Sequence, residues 1–432
     1  MDTKIKKRWY AGSAVILAGA IALTTALVLP ATDGQRKVEA TDLSGSFKPR
    51  PVNGKQADAV FTGSAADFAV DLFKKSYADN ANTLVSPLSV MLALGMTAGG
   101  ADGDTLAQME RTLGGGMPIA ELDAYLHDYS AALQGDGGHS ELSLGNSIWL
   151  RDDAERLAIS PDFLQRTADY YGAPAYKAKF DERTVADING WVSDRTKGMI
   201  PKILAEIPPE AQMYLINAVA FDADWERPYD SRNVHDGKFA AANGERRDVQ
   251  MMNSAENVYV TDGHAVGFIR PYAGGRFSFA AVLPAAGTPI GTYVSSLTGA
   301  SWLKLMDSEQ SADVRASLPK FEYRDSHELK KTLAAFGMTD AFEPGRADFN
   351  RMGKAADGNL YISEVVHKTF ISVDEKGTKA AAVTEVGIAA TSARAVEPIV
   401  IELNRPFVYA IVDNATKLPV FIGALTDMAQ LS

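Results

Sequence analysis

Residues 374–397 read DEKGTKAAAVTEVGIAATSARAVE, a long segment rich in small residues and nearly free of bulky apolar anchors, lying between two strand-like runs. By composition alone it suits a disordered linker equally well. Its alternation argues for more. Every second residue from Thr378 (Thr378, Ala380, Ala382, Thr384, Val386, Ile388, Ala390) is small or apolar, whereas the interleaved set from Lys379 to Thr391 holds both charges, Lys379 and Glu385. This is a period-two pattern with one buriable face. A linker has no need to keep its charges on one side; a segment that is a loop at one time and a central strand at another does. Gly377 lacks a Cβ and can hinge. Ala380, Ala381 and Ala382 are small enough to slip between existing strands. No proline interrupts Gly377 to Glu397, so every backbone N–H there can join a ladder.

The rest of the chain bounds the setting. Its 432 residues, 46% apolar, can bury a large core, and the absence of repeats or of a linker after residue 57 favours one large domain. Formal charge is −11. Without residues 1–31, which carry four of the Lys/Arg and one acid, 39 basic residues face 53 acidic ones, or −14. Such a body repels nucleic acid and anionic polysaccharide. With no cysteine, disulfides, thiol catalysis and Cys-ligated metals are excluded. Lys4, Lys6, Lys7 and Arg8 precede an uncharged stretch from Ala11 to Leu29, so residues 1–31 read as an export signal or, being long, as a membrane anchor. Cleavage near Ala31 is left open. Residues 32–57, with Gly45, Pro49, Pro51 and Gly54 among several charges, read as a flexible spacer, which leaves 58–432 as the folded domain.

Helical spacing dominates residues 58–135, where Phe68, Leu72 and Phe73 share a face and Thr105 with Gln108 suggests a capping box. ELSLGNSIWL (141–150) reads as a short strand and Asp187–Leu204 as helix. MYLINAVAF from Met213 is apolar throughout, as expected of a strand buried on both faces. Further strands are predicted at 257–260, 277–283, 313–318 and 370–373, a short helix at 328–336, and two closing strands, 407–412 and 420–425, about an Asp413–Asn414 turn. Helices thus concentrate early and strands late.

Seven blocks, in order, resemble those of the serpins. They are NTLVSPLSVMLALGMTAGGA (82–101), LSLGNSIWL (142–150), INGWVSDRTKGMI (188–200), LINAVAFDADWERPYD (215–230), LPKFEYRDSHELKKTLAAFGMTDAF (318–342), LYISEVVHKTFISVDEKGTKAAA (360–382) and RPFVYAIVDNATKLPVFIGAL (405–425). The resemblance covers roughly residues 58–428. It implies a mixed α/β fold with N-terminal helices packed on a large central β-sheet, smaller sheets, and an exposed reactive-centre loop. It also implies inhibition of serine proteases by a cleaved loop that inserts as a new strand and distorts the acyl-enzyme. On this reading the chain is not an enzyme, has no catalytic group and needs no cofactor.

By the same resemblance the loop hinge comprises Glu375, Gly377, Thr378, Ala380, Ala381 and Ala382. The shutter, where the sheet opens, comprises Ser86, Ser89, Asn217 and His367. Trp225 stands at the breach, where insertion begins. A buried polar cluster is a hydrogen-bond latch, since each group left unpaired costs about 1–3 kcal/mol; His367 taken alone is equally a satisfied core histidine, and Trp225 plain packing. Lys379 departs from the family's usual acid. Fourteen residues beyond Gly377 the reactive bond falls at Thr391–Ser392, suiting elastase-like or subtilisin-like proteases. The alternative, Arg394–Ala395, would suit a trypsin-like one. A heparin cofactor is not expected, since the helix after Thr105 lacks a basic cluster; a monomer is. Two rivals compete. SWLK (301–304) fits the S-x-x-K of penicillin-recognising hydrolases, but S-D-N and K-T-G are absent and Trp302 and Leu303 suggest a packed helix. A non-inhibitory serpin acting as a binder or chaperone would carry bulkier hinge residues than Thr378 and Ala380–Ala382.

Overall fold

Long strands, apolar where they are central, organise the molecule. The computed structural model describes residues 38–134, 140–152, 157–355, 359–378 and 397–430, so the expected signal or anchor, residues 1–31, lies outside them. A seven-stranded sheet runs, in spatial order, β1 (Thr41–Asp42), β5 (Ala175–Ala178), β3 (Ser140–Arg151), β6 (Met213–Asp224), β15 (Gly377–Thr378), β14 (Glu364–Val373) and β12 (Phe321–Glu328). A nine-stranded sheet comprises β16 (Ile399–Glu402), β11 (Gln310–Pro319), β8 (Arg246–Thr261), β9 (Ala265–Pro271), β10 (Phe277–Pro284), β17 (Phe407–Asp413), β18 (Pro419–Leu425) and β2 (Thr83–Val85), with β7 (Val234–Ala240) on β8. β4 (Ala158–Ile159) pairs with β13 (Gly353–Lys354).

The helices are α1 (Ala59–Ser76), α2 (Pro87–Ala98), α3 (Gly103–Gly114), α4 (Ile119–Gln134), α5 (Pro161–Tyr171), α6 (Glu182–Arg195), α7 (Ile290–Ser296), α8 (Gly299–Asp307) and α9 (Lys330–Ala335). Every residue of α2 is buried, because the helix is apolar all round and starts on a proline that needs no N–H there.

The run from Met213 explains why the central sheet has two cores. Met213, Leu215, Val219 and Phe221 of β6 join the core shared with α1, α2 and the nine-stranded sheet. Tyr214, Ile216, Ala218 and Ala220 face the opposite side, against Ile188, Trp191 and Val192 of α6. A strand sandwiched in this way has no polar face to show in its sequence.

Three local readings differ from the structure. Asp102, not Thr105, caps α3; the Thr105 hydroxyl accepts from Asp348 N–H at 3.0 Å and the Gln108 side chain from Thr339 and Asp340 N–H, long-range partners that outcompete a local box. The helix expected over Asp187–Leu204 ends at Arg195, and the loop that follows is held by the Asn189 side chain, which accepts from Ile203 and Leu204 N–H. The larger correction concerns the expected spacer. Residues 38–57 are docked on the body: Thr41 pairs with Lys177, the Asp187 carboxylate accepts from Glu39 and Ala40 N–H at 2.9 and 2.8 Å, and Arg50 forms a fork with Asp169. Arg50 and Glu39, two of the charges that suggested solvation, have partners more than a hundred residues away, Asp169 and Arg183.

Candidate functional site

The central sheet contains a seam. β6 and β14 pair directly and in parallel from Tyr214↔Glu364 to Ala220↔Phe370. Above that level they part, and β15 lies between them. Gly377 and Thr378 run antiparallel to Asp224 and Ala223, and Thr378 pairs with Val373 on the other side. Gly377 and Thr378 of the hinge therefore already occupy the top of a slot whose lower part is shut. Gly377 is required by close approach: a Cβ there would sit 2.0 Å from the Ala223 carbonyl oxygen.

The turn joining β14 to β15 is held tightly. The Asp374 carboxylate accepts from Lys376 N–H at 2.7 Å and Gly377 N–H at 3.2 Å, an Asx-type turn. Trp225 grips the same turn twice, its indole N–H donating to Asp374 O at 2.9 Å and its backbone N–H to Lys376 O at 2.8 Å. Tyr229 N–H donates to Glu375 O at 2.7 Å, and Lys320 pairs with the Glu375 carboxylate at 2.8 Å. Beneath, Trp225 stacks on Tyr272, with centroids 4.5 Å apart and planes at 9°, and the Tyr272 hydroxyl is bonded to the Thr378 hydroxyl. Arg270 lies 3.8 Å from the Tyr229 ring centroid and is paired with buried Glu256. Trp225 is thus both packed and in direct contact with the hinge turn.

Halfway down the seam Ser86, Ser89, Asn217 and His367 come together, all fully buried. His367 lies opposite Asn217 across the parallel pair. Ser86 N–H donates to His367 Nε2 at 3.0 Å, so Nε2 carries no proton; Nδ1–H then donates to Asn217 Oδ1. Asn217 Nδ2 reaches both Ser89 Oγ and Asn146 Oδ1. Burial, with the nearby His327 adding to it, holds the His367 imidazole well below the usual histidine range, so the ring is neutral. Ser86 contributes its backbone amide to this latch. The network can do no acid–base work on a substrate; it joins β3, β6, β14 and α2 across the seam.

Sequence reasoning missed Asn146, Tyr229, Tyr272, Arg270 and Lys320. Asn146 could have been found as the amide inside the otherwise β-rich LSLGNSIWL; the others carry no local signal. Of the predicted hinge, Glu375, Gly377 and Thr378 stand as described, whereas Ala380, Ala381 and Ala382 lie outside the described residues, as do Thr391, Ser392, Arg394 and Ala395. The S-x-x-K serine is occupied structurally: Ser301 completes the N-terminal capping box of α8 with Thr298, and Trp302 beside it is buried.

The serpin family, described as serine protease inhibitor, matches residues 63–428. Among curated proteins the chain is 32% identical to leukocyte elastase inhibitor of Xenopus tropicalis, over 84% of this chain and 98% of that one, and 31% identical to serpin B6 of Macaca fascicularis, over 83% and 97%. Its structure superposes on the native state of tengpin, a thermophilic serpin, with TM-score 0.86, 49% identity and coverage of 90% of this chain and 100% of that one. Against the latent state of tengpin the score is 0.77, with 49% identity and coverage of 87% and 100%. The seam, the latch and the slot filled only at its top are thus features of a member of the serpin family, a serine protease inhibitor and not an enzyme.

Proposed function

We propose that this chain inhibits its target protease as a suicide substrate, through cleavage near Thr391–Ser392, acyl-enzyme formation and insertion of the freed loop into the seam between β6 and β14. One observation carries this reading: the hinge has begun a strand antiparallel to both neighbours, and the slot continues below it. Extending the register residue by residue from Thr378, opposite Ala223 and Val373, brings Thr384 opposite both Asn217 of β6 and His367 of β14. Insertion must therefore break the His367–Asn217 bond and could give both groups a hydroxyl in its place. The same extension puts Ala380, Ala382, Val386 and Ile388 on the inner face with Thr378, and Lys379 and Glu385 outside, which is the alternation seen in the sequence.

The favoured targets are elastase-like or subtilisin-like proteases with small S1 pockets. A leukocyte elastase inhibitor among the relatives supports this choice. Cleavage at Arg394–Ala395 by a trypsin-like enzyme would lengthen the inserting strand and favour hydrolysis over trapping. The N-terminal segment supports export, with residues 1–31 as signal or anchor and the domain working as a monomer outside the cell or at its surface. Incubating the chain separately with elastase and trypsin tests the reading. The expected result is an adduct with elastase that survives SDS and heat, with a released C-terminal fragment starting at Ser392. Cleavage with no adduct would leave a non-inhibitory serpin, and a fragment starting only at Ala395 would move the reactive bond.

A further inference from the structure

The connection from α6 to β6, residues 196–212, lies over the outer face of the central sheet. Ile200, Ile203 and Leu204 pack there with Ile216, Ala218 and Ala220 of β6 and with Val366 and Phe370 of β14, so the connection straps the seam from outside. Two cations from the far side of the seam hold it. Arg324 Nε of β12 donates to Met199 O at 2.9 Å, and Lys368 Nζ of β14 donates to Lys202 O at 2.7 Å. The register pairs Arg324 with Phe370 and Ser326 with Lys368, making Arg324 and Lys368 diagonal neighbours on one face. Lys202 brings a third positive charge close enough to act on Lys368.

Both hydrogen bonds end on neutral carbonyls, and none of the three cations forms an ion pair with a carboxylate among the described residues. Burial lowers the Lys368 ammonium from the usual lysine range, and Arg324 and Lys202 lower it further. Three like charges gathered without a counter-charge repel one another. The guanidinium still has its Nη donors and each ammonium further N–H groups to offer, a set matched to the oxygens of a compact anion.

We propose that Lys202, Arg324 and Lys368 form a binding site for a small multivalent oxyanion of the phosphate type. With the chain at −11 overall, a short anion is favoured over an anionic polymer, which would meet repulsion beyond the site. The bound anion ties the strap to β12 and β14. Resting on the insertion reading, its consequence is regulatory. A new strand widens the β6–β14 spacing from about 4.8 Å to about twice that, and the strap, continuous with β6, must let go of Arg324 and Lys368 as this happens. The anion therefore slows insertion.

The test uses the intact full chain in inorganic phosphate and in chloride at equal ionic strength. A saturable rise in Tm is expected in phosphate, weakened at least tenfold in apparent affinity by Arg324→Gln or Lys202→Gln. Lys202 is exposed, so its variant keeps the fold if Arg324→Gln does not. General exclusion of phosphate from protein surfaces raises Tm in every variant alike and is removed by that comparison. Equal melting in both salts, a rise that both variants retain, or a response to heparin but not to phosphate overturns the proposal. The rate of protease adduct formation, read separately, is expected to fall severalfold in saturating phosphate. Adduct formation indifferent to phosphate, with Tm responding, removes the regulation and leaves the site; no adduct at all, with Tm responding, removes the insertion reading instead.

Discussion

His367 uses both ring nitrogens, one as acceptor from Ser86 and one as donor to Asn217, and so has no lone pair left for a second proton. The unfolded chain does, with a pKa near 6.5. Because the folded-state value is depressed, the unfolded chain binds more protons below about pH 6.5. The stability contributed by the latch is complete above that pH and is lost as pH falls towards the folded value, at most by about 1.4 kcal/mol per pH unit. His367 faces His327 on β12, Asn217 on β6 and the Ser86 amide at the start of α2; Asp325 pairs with His327, and Ser89 with Asn217, one bond further out. Melting curves of the intact form from pH 7.5 to 5 should therefore fall more steeply for the wild type than for His367→Gln; parallel curves would place the proton elsewhere. Asn217→Ala strands His367 Nδ1–H, Ser89 and Asn146 together and should cost the intact form about 2–4 kcal/mol by denaturant unfolding. A histidine in a β-rich segment announces neither tautomer nor partners. Its place in the latch became legible only through resemblance; Asn146 stood out only as an amide in a β-rich run, and its partner Asn217, 71 residues away, carried no local sign.

Among the elements, β15, only two residues long, is the one on which the proposed function turns. Thr378 is buried against Tyr272, so Thr378→Arg cannot occupy the slot without burying a charge. The variant should still be cut by the protease but form at least tenfold less SDS-stable adduct, as read on a gel. At the other end of the chain β1 converts an expected spacer into an edge strand. Asp187→Ala removes the acceptor for two backbone N–H groups of residues 39 and 40; it should lower stability by about 1–2 kcal/mol and expose residues 38–44 to limited proteolysis. Protection equal to that of the wild type would show that β1–β5 pairing suffices alone. The strands and helices with a strong period were readable from the residues because period is a local property. Residues 38–57 were misread because Arg50 and Lys55 are paired with Asp169 and Glu121 and the N–H groups of residues 39 and 40 with Asp187, residues that no local window contains.

At the scale of the whole molecule, the proposed insertion implies that the intact form leaves part of its stability unrealised. Continuing β15 down the seam from Thr378 to the level of Met213 adds about one hydrogen bond per residue, and at about 1 kcal/mol each this is on the order of 10 kcal/mol. A cut in the loop releases it, so the barrier to insertion, and not equilibrium, preserves the intact state. Nicking with elastase should raise Tm well above that of the intact chain in a scanning calorimeter, and an unchanged Tm would remove the mechanism altogether.

The alternation along 378–390, the two-faced apolar run from Met213 and the absence of proline from Gly377 to Glu397 are carried by neighbouring residues. They marked out a buried central strand, which β6 is, and pointed to a loop able to form a strand before any contact was known. Which residues meet across the seam is another matter. Trp225 and Tyr229 on the hinge turn, Asn146 beside Asn217, and Arg324 with Lys368 on the strap are encounters between elements far apart in the chain. Packing of the whole body decides them, since a side chain's partner depends on where every other element has come to rest.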